Sequence, residues 1–433
     1  NINATARNTM ADMVYRDLRM NTLRLWVSCA PGKTVNDMVT ELNTNYIASG
    51  AIADITSRGV STLLLAPGGS GAANPASIPT YADNIAETIL RLRNTYGVTI
   101  NVTGIANEPS GWTNAAVVSC VKELRARLDS RGLTAVKIIA SEASSPGAGA
   151  IQARAILEDP DAWACLYGIA SHSYGSLMVN DGMEVLKQDL KWWMTEASDG
   201  GNEVAEDEDR GCSIVARFFC ELNHGVDEWI FFIGLGQTGD ITGYGASSAY
   251  MMLYDIKTAS VIPLLKYYYF KQALNTLDPG AIMRRTLSAT EADMLCLSNQ
   301  NPAISAAAGY NPDGSWGIGI VNDTGVTGSP ATANNLFHAA ATYNVTVRVE
   351  ELAGTPGMAF TVYRSRANNH CVNSGTLTLV NGTASITIAP RELVCLRSGS
   401  TALTIPPAPN GLTASTINAP VTLRWNNTVK ATG

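Results

Sequence analysis

Two glutamates stand where a reacting carboxylate would be wanted. Glu108 lies in Gly104-Ile105-Ala106-Asn107-Glu108-Pro109 and Glu196 in Lys191-Trp192-Trp193-Met194-Thr195-Glu196. Each phrase follows an apolar run that reads as a buried strand, so each carboxylate is delivered at a strand end. They lie 88 residues apart, about three strand–helix units at the ~30 residues per unit of a (β/α)8 barrel. Two carboxylates at the C-terminal ends of the fourth and seventh strands of such a barrel could cleave a glycosidic bond with retention. One attacks the sugar carbon; the other protonates the leaving oxygen and then activates water. Glu108 is the candidate acid/base and Glu196 the candidate nucleophile. Asn107 is placed to bond a sugar 2-hydroxyl, and Arg24 is a fixed cation able to hold Glu196 ionised. His172 and Tyr174 could orient either carboxylate. Trp112, Trp193 and Trp229 are candidate sugar platforms, since an aromatic face packs well on the C–H face of a pyranose. Several of these residues have a plainer reading: Arg24 as a salt-bridge residue, His172 as a satisfied core histidine, Trp229 as strand core in Glu228-Trp229-Ile230-Phe231-Phe232. Glu142, in Ala140-Ser141-Glu142-Ala143, also ends a strand and is the rival carboxylate, expected to stand behind the pair.

The elements that must carry these residues alternate. Apolar runs at 22–27, 61–66, 99–106, 136–141, 166–171, 191–195 and 228–234 read as strands. Helices are expected near 5–18, 44–58, 81–95, 114–131, 148–157, 182–189, 211–222 and 247–275. This alternation predicts a parallel α/β fold with both sheet faces covered, a (β/α)8 TIM barrel over residues 1–285. A closed barrel needs eight strands, so the first is expected upstream of Asn1. Beyond Pro279-Gly280 the period falls to two. Short segments such as Trp316–Asn322, Tyr343–Glu350 and Leu393–Arg397, separated by turns such as Asn381-Gly382, predict an all-β sandwich over 286–400. Residues 401–433 begin with the stiff Ile405-Pro406-Pro407-Ala408-Pro409 and read as a linker into the opening strands of a truncated accessory β module.

Bulk properties remove several classes of function. The chain has 433 residues, 46% hydrophobic and 15% charged, with a formal net charge of -7. Lys and Arg form no runs, so a nucleic-acid partner has no electrostatic footprint. No apolar stretch reaches the ~20 residues of a membrane span. The 8 cysteines include no Cys-x-x-Cys, and Cys212 and Cys220 lie too far apart along one helix to pair. The 4 histidines are isolated, with no metal-ligand spacing. No metal or organic cofactor is expected, because two glutamates suffice for the chemistry.

On Asn107-Glu108-Pro109, Trp193-Met194-Thr195-Glu196, Ser171-His172-Ser173-Tyr174-Gly175 and Tyr267-Tyr268-Tyr269-Phe270 followed by Asp278-Pro279-Gly280-Ala281, the chain resembles clan A glycoside hydrolases, most closely glycoside hydrolase family 30. The resemblance covers roughly residues 1–400. It implies a barrel joined to a β-sandwich, with Glu108 as acid/base, Glu196 as nucleophile, and Asn107 and Arg24 in support. It also implies a polysaccharide substrate of plant, fungal or algal type, with β-1,6-glucan, β-1,6-galactan and xylan as candidate backbones. The opening of 405–425 resembles a fibronectin type III module. A secreted or cell-surface, monomeric enzyme is expected, although no signal peptide is visible. An exo-acting clan A glycosidase and a non-catalytic carbohydrate-binding barrel are the alternatives.

Overall fold

The computed structural model of the chain describes residues 2–69, 74–174, 182–198, 207–238, 250–288, 302–326, 338–367, 369–399, 413–415 and 422–424. Seven parallel strands form one sheet in sequence order: β1 (Thr22–Ser28), β2 (Thr62–Gly68), β3 (Val102–Thr103), β4 (Lys137–Ala143), β5 (Gly168–His172), β6 (Lys191–Ala197) and β7 (Glu228–Phe231). Between them run α1 (Ala4–Asp12, ahead of β1), α2 (Val35–Leu42), α3 (Ala51–Thr56), α4 (Ile78–Tyr96), α5 (Asn114–Ser130), α6 (Pro146–Leu157), α7 (Pro160–Trp163), α8 (Met183–Leu186) and α9 (Asp207–Asn223). This is a TIM-like, nearly closed barrel. β3 and β6 hold the places that the sequence assigns to the fourth and seventh barrel strands.

Strand text explains the layers. Every residue of β2 after Thr62 is buried, as expected for a parallel strand covered on both faces. Leu64, Val102, Ile139, Ala170 and Trp193 fill the barrel interior. Leu65, Ile138, Ile169, Trp192 and Met194 pack outward against α4, α5 and α6 through Ile85, Ile89, Val121, Leu124 and Ile156. The helices begin where the chain supplies caps. The Ser77 hydroxyl accepts from the Thr80 N–H ahead of α4, and Gly97 closes that helix at φ 68°.

In the described residues β1 pairs only with β2 and β7 only with β6. Their outer edges border a cavity of about 1020 Å³ lined by residues such as Leu23, Trp193, Thr195, Glu228 and Trp229.

Several elements depart from the sequence reading. The helix expected near 44–58 begins earlier and is broken: a Thr34–Asp37 capping box starts α2 at residue 35, a π-helical turn at Asn43–Ile47 extends it, and Gly50, at φ 80°, breaks the path before α3. Of the long helix expected over 247–275, the described residues, 250–275, are helical only in α10 (Leu265–Leu274). The residues before it form the hairpin β9 (Met252–Asp255) and β10 (Ser260–Pro263), which follows β8 (Leu235–Thr238) and pairs with it through β9. Asp255 holds the hairpin turn, accepting from the Lys257 N–H (2.9 Å) and the Thr258 hydroxyl (2.7 Å). Pro263 cannot continue a helix.

After α10 come β11 (Ile282–Arg284), β12 (Ile304–Tyr310), β13 (Trp316–Asn322), β14 (Tyr343–Arg348), β15 (Met358–Arg366), β16 (Asn369–Leu379), β17 (Thr383–Ile388) and β18 (Glu392–Ser398). They form an antiparallel six-stranded sheet, β11-β12-β13-β18-β15-β16, and the pair β14-β17. Met294–Ser298, which also reads as a strand by its sequence, lies outside the described residues. So does most of the 401–433 module, of which β19 (Thr413–Ser415) and β20 (Thr422–Arg424) are described as an antiparallel pair.

One apolar cluster joins barrel to sandwich: Phe218, Phe219, Tyr269 and Phe270 on α9 and α10 pack with Ala307, Val321, Leu393 and Cys395. Gln272 on α10 donates to the Tyr363 and Leu393 carbonyls at 3.1 and 3.0 Å. Among the described residues six cysteines are not disulfide-bonded, Cys212 among them, and Cys220 is disulfide-bonded.

Glu228 gives the barrel a pH signature. Burial pushes its carboxyl up to about 7, with neighbouring Asp227 adding and Lys191 opposing. The folded protein therefore holds this proton more tightly than the unfolded chain does. The associated stability is full below about 4.5 and is lost as pH rises through about 7. Melting curves of wild type and Glu228→Gln should coincide most closely below pH 4.5, and the variant should gain relative to wild type above pH 7; a constant offset at all pH values would contradict this.

Candidate active site

The strand ends converge on Arg24. It lies on β1 with its side chain only 9% exposed, and its guanidinium reaches three other segments. Nη1 donates to Glu196 Oε2 at 3.0 Å, at the end of β6. Nε and Nη2 donate to Glu142 Oε2 at 3.3 and 3.1 Å, at the end of β4. Nη2 also donates to Asn107 Oδ1 beyond β3. Glu142 is fully buried, and its Oε1 has no hydrogen-bond partner among the described residues. A carboxylate so placed is tolerable only beside a fixed cation. Gly104 leaves room for it, since a Cβ there would overlap the Glu142 carboxyl.

Glu108 faces Glu196 across His172. The ring Nδ1 lies 2.9 Å from Glu108 Oε1 and 3.8 Å from Glu196 Oε2. The nearest ligand atoms of Glu108, His172 and Glu196 all fall within 4.8 Å of one another. His172 Nε2 is buried without a partner among the described residues. The tautomer with hydrogen on Nδ1, donating to Glu108, leaves only a lone pair at that buried position. This bond pulls the Glu108 carboxyl below its usual range; partial burial opposes it, and the positive charge of Arg24 adds to it. The Tyr174 hydroxyl donates to Glu196 Oε1 at 3.2 Å, and burial next to that carboxylate raises the phenol far above its ordinary value.

Local backbone fixes these positions. Glu108 and Glu142 have φ of 49° and 58°, left-handed values that cost non-glycine residues ~1–3 kcal/mol each and persist only where surroundings over-determine them. The two are tied directly, the Glu108 N–H donating to the Glu142 carbonyl at 3.0 Å. The Asn107 N–H donates to the Pro67 carbonyl at 2.6 Å. Tyr81 and Gln152 hold the carbonyls of Ile105 and Pro109 at 2.9 and 3.1 Å.

Glu108, Glu196, Arg24, Asn107, His172 and Tyr174 are thus brought together, with Glu142 behind Arg24. The three tryptophans sit apart from this cluster, although Trp193 and Trp229 line the cavity that Arg24 and Trp26 also border. Trp112 is 5% exposed and packs edge-on to Tyr81 in the outer core. Trp193 fills the barrel interior beside Tyr167. Trp229 packs on Phe218 and Phe270 and donates to Glu221. Trp112 and Trp193 are buried, and Trp229 is half-buried. The aromatic residue missed in the sequence is Trp26, 40% exposed, two positions beyond Arg24 on the same side of β1, its indole in the space that a Cβ at Gly68 would take. Period-two alternation from Arg24 could have found it.

Glu108, His172 and Glu196 also have donor types suited to a metal ion. Arg24 already holds Glu196 Oε2, and its fixed positive charge works against a second cation there.

No protein-family model and no curated protein sequence matches the chain. Solved structures do. The catalytic domain of the GH30 xylanase C from Talaromyces cellulolyticus aligns at TM-score 0.62 and 13% identity, over 92% of each chain. A glycoside hydrolase family 30 subfamily 8 xylanase from Clostridium acetobutylicum aligns at TM-score 0.60 and 17% identity, over 90% of this chain and 92% of its own. The endo-β1,6-glucanase BT3312 aligns at TM-score 0.63 and 15% identity, over 92% and 88%. At these identities the likeness is one of fold: the chain has the barrel-plus-sandwich architecture of those structures.

Removing Arg24 should expose how much of the site it holds. Arg24→Met leaves the Glu142 carboxylate buried and unpaired, which costs ~3–5 kcal/mol. Chemical denaturation should report that loss, and adding Glu142→Gln should recover most of it. No recovery in the double variant would contradict the pairing.

Proposed function

We propose that the chain is a retaining β-glycoside hydrolase acting on a polysaccharide. One observation carries the reading: two carboxylates whose oxygens approach within 4.8 Å, with His172 between them. A pair that close suits double displacement, for which carboxyl groups stand ~5–5.5 Å apart, and leaves no room for the water an inverting enzyme places between groups ~6.5–9.5 Å apart.

Glu196 attacks the anomeric carbon, aimed by Arg24 on one oxygen and Tyr174 on the other. Glu108 gives its proton to the leaving oxygen. A covalent glycosyl–enzyme results, and Glu108, now a base, draws a proton from water to release the sugar. Asn107 has its Oδ1 engaged by Arg24, so its amide N–H groups are oriented to donate to the sugar 2-hydroxyl. Trp26 at the rim offers a platform for a neighbouring sugar.

The barrel serves as the catalytic unit and the sandwich as the attached domain, which begins at β11 (Ile282–Arg284) rather than at residue 286. Xylan, β-1,6-glucan and β-1,6-galactan are the substrates to try first, two of them named in the aligned structures. The disulfide at Cys220 favours a secreted or cell-surface enzyme, and no helix among the described residues is long and apolar enough to cross a membrane.

Sugar release from a panel of β-linked polysaccharides tests the reading. Wild type should cut at least one, Glu196→Gln none, and Glu108→Gln should be slower by ~10²–10⁴-fold. Binding without release by the wild type would instead favour a non-catalytic barrel. The pH profile offers a finer check. The alkaline limb of kcat/KM reports loss of the Glu108 proton in the free enzyme. His172 lowers that group, so His172→Phe should move the limb to higher pH. A limb that stays, or moves down, would argue against Glu108 as the acid.

A further inference from the structure

A buried ion pair lies behind the site, and nothing in the chemistry above uses it. Arg217 and Glu221 sit one turn apart on α9, each side chain 1% exposed. Arg217 Nε donates to the Ser173 hydroxyl at 2.6 Å and to Glu221 Oε1 at 3.3 Å. Its Nη1 donates to the Ser198 carbonyl at 2.6 Å, and its Nη2 to the Ser173 carbonyl. The Ser173 hydroxyl in turn donates to Glu221 Oε1, and the Trp229 indole N–H to Glu221 Oε2.

Stability alone does not account for this arrangement. Replacing a buried ion pair with apolar side chains of similar volume is often neutral or stabilising. What apolar side chains cannot do is hold carbonyls. Ser173 follows β5 and Ser198 follows β6, and the ladder between the two strands changes just before them. Ser171 stands opposite Met194, but His172 stands opposite Glu196, so one residue of β6 is skipped. That irregularity sets His172 against Glu196. One last backbone bond follows, from the Ser173 N–H to the Glu196 carbonyl at 2.9 Å. Past it, among the described residues, Arg217 bridges the two segments through the Ser173 and Ser198 carbonyls. The same guanidinium lies 5.7 Å from the Tyr174 ring centroid, and Tyr174 bonds both Glu196 and, at 3.4 Å, the Ser198 hydroxyl.

We infer that Arg217, fixed by Glu221, is a positioning residue that clamps the ends of β5 and β6 and so sets the register of His172 and Tyr174 against Glu196. Its effect on turnover rests on the hydrolase reading above; its effect on geometry does not. The clamp acts through backbone carbonyls and touches neither substrate nor either reacting carboxylate.

The test replaces the pair with apolar groups, Arg217→Met with Glu221→Leu, and includes the milder Arg217→Lys, which keeps the charge but not the fork. On the glycan the wild type cuts, the double variant should keep its melting temperature and KM while kcat falls ~100-fold, the cost of misplacing reacting groups by about 1 Å. Arg217→Lys should recover part of kcat. In parallel, the imidazole 15N resonances of His172 are read without substrate, and in the double variant they should leave the positions of the hydrogen-bonded Nδ1–H tautomer. A folded double variant with wild-type kcat and unshifted resonances overturns the inference. Should the double variant fail to fold, the same two readouts on Arg217→Lys decide, an unchanged kcat and spectrum being the overturning result. Should the wild type cut no glycan, the hydrolase reading falls, and the His172 spectrum alone decides the clamp.

Discussion

One guanidinium holds this site together. Arg24 lies almost buried at the mouth of the barrel and bonds groups delivered by β3, β4 and β6. Without a cation there, Glu142 and Glu196 would be two carboxylates in poor solvent, each disfavouring the other's charge. With it, both are compensated, and Glu196 is aimed as well as paired. The arrangement also explains a backbone detail: Gly104 has no side chain because the Glu142 carboxyl needs its place.

Around that cation the barrel supplies positions rather than chemistry. Parallel strands end at one rim, so residues distant in sequence meet there. Small departures from regular pairing then select which side chains meet. The skipped residue between β5 and β6 sets His172 opposite Glu196, and left-handed residues at the ends of β3 and β4 turn Glu108 and Glu142 into the site. These departures are held by groups outside the reacting set: the ties from Tyr81 and Gln152 to the loop around Glu108, and Arg217 with Glu221 behind β5 and β6. The sandwich packs on the outside of α9 and α10 and supports the helix that carries this pair.

Much of this was legible in the sequence, for physical reasons. A buried parallel strand is a short apolar run, and a polar residue at its C-terminal end stands out, as Glu108, Glu196, His172 and Tyr174 do, while Arg24 stands out as a charge inside the apolar run of β1. The TIM-like barrel and the β-rich second half follow from the change of period near Pro279. What failed was legible only with side-chain direction or tertiary context. Chemistry alone does not separate a sugar platform from a core ring: Trp112 and Trp193 are buried, Trp229 is half-buried as its strand text allows, and Trp26 is exposed on the face it shares with Arg24. The apolar residues before α10 fit either period, and the Asp255 turn and Pro263 decide for strands. Arg217 and Glu221 could be seen as a helical pair at four-residue spacing, but not that they reach two strand ends.

The central claim is double displacement by Glu196, and the stereochemistry of the product tests it most directly. Proton NMR during cleavage of a β-linked substrate resolves which anomer appears first, before mutarotation mixes the two. This account predicts the β-anomer first, with the α-anomer growing in later. The α-anomer first would mean inversion and would contradict a site built on two carboxylates this close.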